Sequence, residues 1–195
     1  MRKLRHAVEA VYDVRWLAAV MLGVHLFFLL LGYTAASLRL EWAIVMREEF
    51  MNSLRGYVPL QSVAAHLREG SLLEAVVITF VHNLSWGAFL STTLTGVLLF
   101  LPALVSSFRA LYVGLVFYGN VSSPGHLLVI TGTVLLEFGA YSISAALGTA
   151  LGIELVRRGD VRRALHRIAR GYAVVALLLL LGAAWEIAGI YFLMG

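Results

Sequence analysis

Cysteine is absent from the 195 residues, which excludes disulfides, thiolate metal sites and thiol nucleophiles. Lysine is nearly absent as well, one residue against fourteen arginines, and charged residues of every kind make up only 13% of the chain. Proline occurs three times, at Pro59, Pro102 and Pro124, and each marks an expected turn or break. With 61% hydrophobic residues and a mean hydropathy of +0.87, the composition does not suit a water-soluble domain. The formal charge of +4 is basic, but the arginines gather at the ends of apolar segments, where bilayer anchors belong. The expected partner is therefore the lipid bilayer and not a nucleic acid.

The apolar runs set the expected architecture, an all-α polytopic membrane bundle forming a single domain over residues 1–195. The first run, Trp16 to Ala36, follows a basic start at Arg2, Lys3 and Arg5 and ends in Thr34-Ala35-Ala36, loosely like a signal-peptidase site. At about 20 residues it is long enough to span, and it is read as a retained first helix. Residues 38–70 mix Arg39, Arg47, Arg55 and Arg68 with Glu41, Glu48, Glu49 and Glu69 around apolar residues at helical spacing. One or two amphipathic helices are expected there, in the membrane interface or packed outside on the bundle, with Gly56 and Pro59 at a turn between them. Apolar character then runs from Leu72 to Gly119, too long for one crossing at about 1.5 Å per residue, so two helices are expected. Pro102 and Arg109 mark the break, giving helices near 72–101 and 103–119. Further helices are expected near 127–156 and 172–194, for about five crossings.

Arg157, Arg158, Arg162, Arg163, Arg167 and Arg170 face one acid, Asp160, between the last two runs. By the positive-inside rule this 157–170 loop is cytoplasmic, as a topology signal or a site for anionic headgroups. Counting back puts Arg109 and the N-terminus inside and the 38–70 segment outside, with the C-terminus external. A plasma-membrane location follows. Small residues recur every four positions at Ala140, Ser144, Gly148 and Gly152, and at Gly87, Ser91 and Thr95. Such stripes let helix backbones approach closely, facing either a neighbour in the same chain or a second copy, so a homodimer is compatible with the pattern.

Several ionisable groups sit where a bilayer makes them costly: His25, His82, Glu137 and Glu186. In a five-helix topology His82, Asn83, Glu137 and Glu186 lie at similar depths. They form an expected polar cluster, which either fixes helix register or holds a proton or cation. His25 is expected to be a hydrogen-bonded interface residue. No zinc pair of the His-Glu-x-x-His kind, aspartate pair or Gly-x-Ser-x-Gly turn is present, so no catalytic residue, cofactor or metal site is expected.

Asn83 within Phe80-Val81-His82-Asn83, Gly96, Phe108-Arg109-Ala110-Leu111-Tyr112-Val113-Gly114, and Leu136-Glu137-Phe138-Gly139-Ala140-Tyr141 followed by Gly148 and Gly152 resemble the stage II sporulation protein M family. The resemblance covers roughly residues 70–195. It implies a small protein of about five membrane helices in which Asn83 and Glu137 match the family's marked positions. Gly132-Thr133-Val134 stands where many relatives carry Pro-His-Gly, so no role passes to a histidine there. The family's namesake organises membrane partners during engulfment, which implies a non-enzymatic scaffold or accessory subunit with membrane-protein partners still to be identified. A small transporter or channel built on the Glu, His and Asn cluster is the alternative.

Overall fold

In the computed structural model, residues 2–119, 121 and 123–193 are described, and every regular element among them is helical. The order is α1 (Arg2–Tyr12), α2 (Arg15–Ser37), α3 (Glu41–Arg55), α4 (Val58–Arg68), α5 (Leu72–His82), α6 (Leu101–Phe117), α7 (Pro124–Val156) and α8 (Val161–Leu193). Between α5 and α6 the helix continues as a π-helical stretch, Asn83–Thr93, and a 3₁₀ turn, Leu94–Leu98. Four helical segments are long and apolar enough to cross a membrane: Arg15–Ser37, Leu72–Leu98, Pro124–Val156 and Val161–Phe192. They point to a membrane protein. Helix α6 is apolar too but has 17 residues.

Three features depart from the sequence reading. The break in the 72–119 run falls at Leu99 and Phe100, where Leu99 takes a left-handed φ of 48°, and Pro102 sits in the first turn of α6, where its missing N–H leaves no helical bond unmade. Arg109 is accordingly no boundary residue but lies in the middle of α6. The stretch expected as a loop over 157–170 is mostly helix. Only residues 157–160 separate α7 from α8, and Asp160 Oδ1 accepts from the Arg163 N–H at 2.9 Å as an N-cap. Arginine, alanine and leucine are good helix formers, so hydropathy changes at Tyr172 while the helix does not.

Helix α7 is the axis, packed against α2, α8 and the π and 3₁₀ stretches. Glycines set the closest approaches. A Cβ built on Gly96 would collide with the Gly148 backbone, one on Gly148 with the Thr93 carbonyl, and one on Gly152 with the Gly96 carbonyl. Helices α2 and α6 touch the same way, Gly32 against Leu111 and Gly114 against Leu29. This is the small-residue packing that brings helices together where lipid supplies no hydrophobic drive. Away from these seams side chains fill the space: Phe50 of α3 stacks on Tyr112 of α6 at 4.6 Å, and Val63 of α4 packs with Ala75 of α5 and Ile187 of α8. Helix α1 lies along α8, with Glu9 held below the usual carboxylate pKa by hydrogen bonds from Arg5 and His6.

The carbonyls of the π stretch are met in part by hydroxyls of the same segment and its flanks. A wider turn draws carbonyls away from their usual i+4 donors, and in hydrocarbon no water replaces them. Ser85, Ser91, Thr92 and Thr95 each donate to the carbonyl four residues earlier, at 2.7, 2.5, 2.6 and 2.8 Å. Two of these carbonyls gain a second donor from outside the segment, Gly87 from Arg109 and Ala88 from Ser144.

Gly148→Val should therefore destabilise the protein by at least about 2 kcal/mol, because the obstacle is a backbone carbonyl and not a movable side chain. Thermal unfolding in detergent measures it. Gly23→Ala, where an added Cβ meets nothing within 4 Å, should leave the midpoint unchanged or slightly raised.

Candidate functional site

Asn83 opens the π stretch and its Nδ2 donates to Glu137 Oε1 of α7 at 2.7 Å. Glu186 of α8 faces the same place. Gly182, one turn before it, would put a Cβ 3.4 Å from Glu137 Cγ. His82, Asn83, Glu137 and Glu186 line one cleft of about 230 Å³ between α4, α5, α7 and α8. His82 is not bonded to either acid. Its Nε2 lies 2.9 Å from the hydroxyl of Tyr57, a residue of the α3–α4 turn that the sequence reading did not single out.

Neither Glu137 nor Glu186 forms an ion pair among the described residues, and Glu186 makes no hydrogen bond to any of them. Both also line a second cleft, of about 280 Å³, between α3, α6, α7 and α8. The two acids thus form a common wall between two partly open spaces. The nearest fixed cation, Arg109, is occupied elsewhere: its Nη1 donates to the Gly87 carbonyl at 3.2 Å, its Nη2 to Ser91 Oγ at 2.9 Å, and its guanidinium stands 4.2 Å over the Tyr141 ring. Gly87 leaves room for Tyr141, since a Cβ there would meet the tyrosine hydroxyl at 2.8 Å.

Deeper along the π stretch lies a knot of hydroxyls. Ser144 Oγ is 2.8 Å from Thr92 Oγ1 and 2.7 Å from Thr93 Oγ1, and the Tyr172 hydroxyl is 2.7 Å from Thr93 Oγ1. The Ala88 carbonyl accepts from Ser144 at 2.8 Å, and the Ser144 carbonyl accepts from Thr93 at 3.0 Å. Ser144, a member of the expected packing stripe, is the centre of this knot. Ala140 of the same stripe is fully buried, and Thr95 folds back on Ser91. Beyond the knot Val14, Ala146, Leu147 and Ala150 pack as a buried apolar cluster. His25 is buried with Nδ1 3.0 Å from the Met21 carbonyl and 3.1 Å from Ser142 Oγ. It stands apart from the acids as an interface residue of α2 and α7.

The arginines expected as one group divide. Arg162, Arg163, Arg167 and Arg170 of α8 line a surface cup of about 620 Å³ with His6 and Glu9 of α1 and Asp13 of the turn that follows α1. Arg167 also reaches Glu154 at 3.9 Å. Arg157 and Arg158 lie at the α7–α8 turn outside the cup, Arg158 with a left-handed φ of 52°. Among the described residues no group of three or more His, Cys, Asp or Glu is placed to hold a metal. Tyr57, Arg109, Tyr141 and Tyr172 are the site residues that sequence reasoning missed. Arg109 did carry a signal, being a lone charge inside an apolar run.

Ser144→Ala should destabilise the bundle by about 1 kcal/mol, since it removes a hydroxyl shared by Thr92, Thr93 and Tyr172. Denaturation in mixed micelles measures this, and Ser144→Thr should recover part of the loss.

No family model, no curated protein and no solved structure matches the chain. The resemblance to the stage II sporulation protein M family rests on the quoted residues alone.

Proposed function

We propose that the chain is a five-crossing plasma-membrane protein whose bundle carries a proton or cation site, and that it acts as a small transporter or ion-coupled membrane subunit without enzymatic activity. The observation that carries the reading is the pair Glu137 and Glu186: no ion pair among the described residues neutralises them, and they form the wall between two clefts. An ionisable side chain inside a membrane protein is expensive to keep, and a fully paired knot would have served packing alone. Here one acid has a neutral partner, Asn83, and the other has none among the described residues.

Topology supports the same reading. Helix α6 is the fifth crossing, about 26 Å long at the usual rise and so slightly short of a 30 Å hydrocarbon core. The N-terminus and the Arg-rich turn are cytoplasmic, and residues 38–70 and the C-terminus are external, with α3 and α4 lying in the outer interface. In this orientation the clefts lie on the outer side of the hydroxyl knot, and the apolar cluster of Val14, Ala146, Leu147 and Ala150 lies on its inner side. The packing stripe around Gly148 is used within the chain, so a homodimer would meet through another face.

A second reading is the scaffold or accessory subunit implied by the family resemblance. It is favoured by α3 and α4, which carry an exposed and mixed-charge surface fit for a partner protein. Losing a co-purifying partner when residues 38–70 are altered, with flux absent, would decide for it.

Reconstituted into liposomes with a trapped pH indicator and an imposed potential, the protein should give a proton or cation flux that Glu137→Gln and Glu186→Gln each lower at least tenfold. Flux that survives both substitutions unchanged would sink the transport reading.

A further inference from the structure

The second cleft differs in chemistry from the first. Apart from Glu137 and Glu186, its walls are apolar and aromatic, with Phe50 from α3, Phe117 from α6 and Phe138 from α7. Among the described residues one other polar side chain lines it, Thr133, which is 9% exposed and whose Oγ1 has no hydrogen-bond partner among them. A helical threonine ordinarily donates to the carbonyl four residues back. Here that carbonyl, of Val129, accepts from Trp185 Nε1 at 3.1 Å instead. A buried hydroxyl left without a partner costs about 1–3 kcal/mol, and this one belongs to a residue that lines the space the carboxylates share.

The occupant this lining fits can be derived by elimination. A hard metal ion wants six or more oxygen ligands, and the cleft offers two carboxylates and one hydroxyl among hydrocarbon. An anion is repelled by both acids. A neutral apolar molecule would desolvate the carboxylates without compensating either. A cation with an apolar body answers every wall at once: its charge meets Glu137 and Glu186, and its hydrocarbon part meets the three phenylalanine rings. The Thr133 oxygen narrows the class further, because its free lone pairs can accept from an N–H, which a quaternary ammonium lacks. Size narrows it again. A cleft of about 280 Å³ admits a small organic ion and not a large one.

We infer that the cleft between α3, α6, α7 and α8 is a binding site for a small hydrophobic ammonium ion, held by Glu137 and Glu186 and by a hydrogen bond to Thr133 Oγ1. The inference rests on the reading of the two acids as a cation site and names the class of solute.

Isothermal titration of the protein in lipid nanodiscs with 2-phenylethylammonium, and in parallel with the neutral isostere 2-phenylethanol, tests it. The ammonium should bind and the alcohol should bind at least tenfold more weakly. Glu186→Gln should weaken the ammonium at least tenfold, and Thr133→Val, which keeps the side-chain shape, about fivefold. Benzyltrimethylammonium should bind more weakly than the primary ammonium to the unaltered protein and equally to Thr133→Val. Should Glu186→Gln fail to fold, Val113→Trp, which fills the cleft from α6 and leaves the acids in place, should abolish binding. Equal affinity for alcohol and ammonium, no ammonium binding at millimolar concentration, or Thr133→Val and Val113→Trp binding as the unaltered protein does would each overturn the inference. Proton flux without ammonium binding would overturn it while leaving the transport reading standing; ammonium binding without any flux would establish the site and remove transport.

Discussion

The rest of the bundle is arranged around the carbonyls of Asn83–Thr93. In a hydrocarbon medium each backbone acceptor must find a donor within the protein, and a π-helical stretch draws carbonyls out of the regular ladder. The chain answers with its own hydroxyls, Ser91 on Gly87 and Thr92 on Ala88, and then with groups from two other helices, Arg109 from α6 and Ser144 from α7. Those long-range donors tie two helices to one segment. The same segment begins at Asn83, so the geometry that satisfies its backbone also aims the amide at Glu137.

Placing Arg109 on the backbone of the π stretch has an electrostatic result. The cation nearest the acids is held by a carbonyl, a hydroxyl and the face of Tyr141, which leaves the Glu137 and Glu186 carboxylates facing open space instead of an arginine. Two acids and one guanidinium that bonds elsewhere give the region around the clefts an unbalanced negative charge whenever both acids are ionised. That imbalance supports the cation-site reading more than either acid would alone.

Much of the helical layout was legible in the chain, for identifiable reasons. Hydropathy marks where a helix meets lipid, and the run from Trp16 to Ala36 has sharp polar edges, so α2 begins and ends within one residue of it. Hydropathy does not mark where a helix starts, which is why α8 begins eleven residues before Tyr172, on arginines that extend it beyond the apolar zone. Rise per residue sets depth, and depth alone put His82, Asn83, Glu137 and Glu186 at one level; the structure places all four around one cleft. Azimuth is another matter. His82 turns toward Tyr57 because α4 packs on α5, a tertiary fact with no local sequence cue. The π stretch was equally hidden, since its donors from α6 and α7 arrive only with the fold. Arg109 was misread as a boundary because a charge in an apolar run has two solutions, the membrane edge or an interior partner, and its partners are distant in sequence.

The glycine seam has a mechanical consequence. Where Gly96, Gly148 and Gly152 meet, backbone rests on backbone, so no rotamer stands between the two helices to absorb a displacement. Helix α7 and the segment before α6 must travel as a single rigid body. On the opposite side of the clefts, α3 and α4 are held by ring contacts such as Phe50 on Tyr112 and Tyr57 on His82, which can slide or re-pack. The compliance of the molecule is therefore one-sided, and changes in cleft volume fall to the α3–α4 wall while the acid-bearing α7 keeps still.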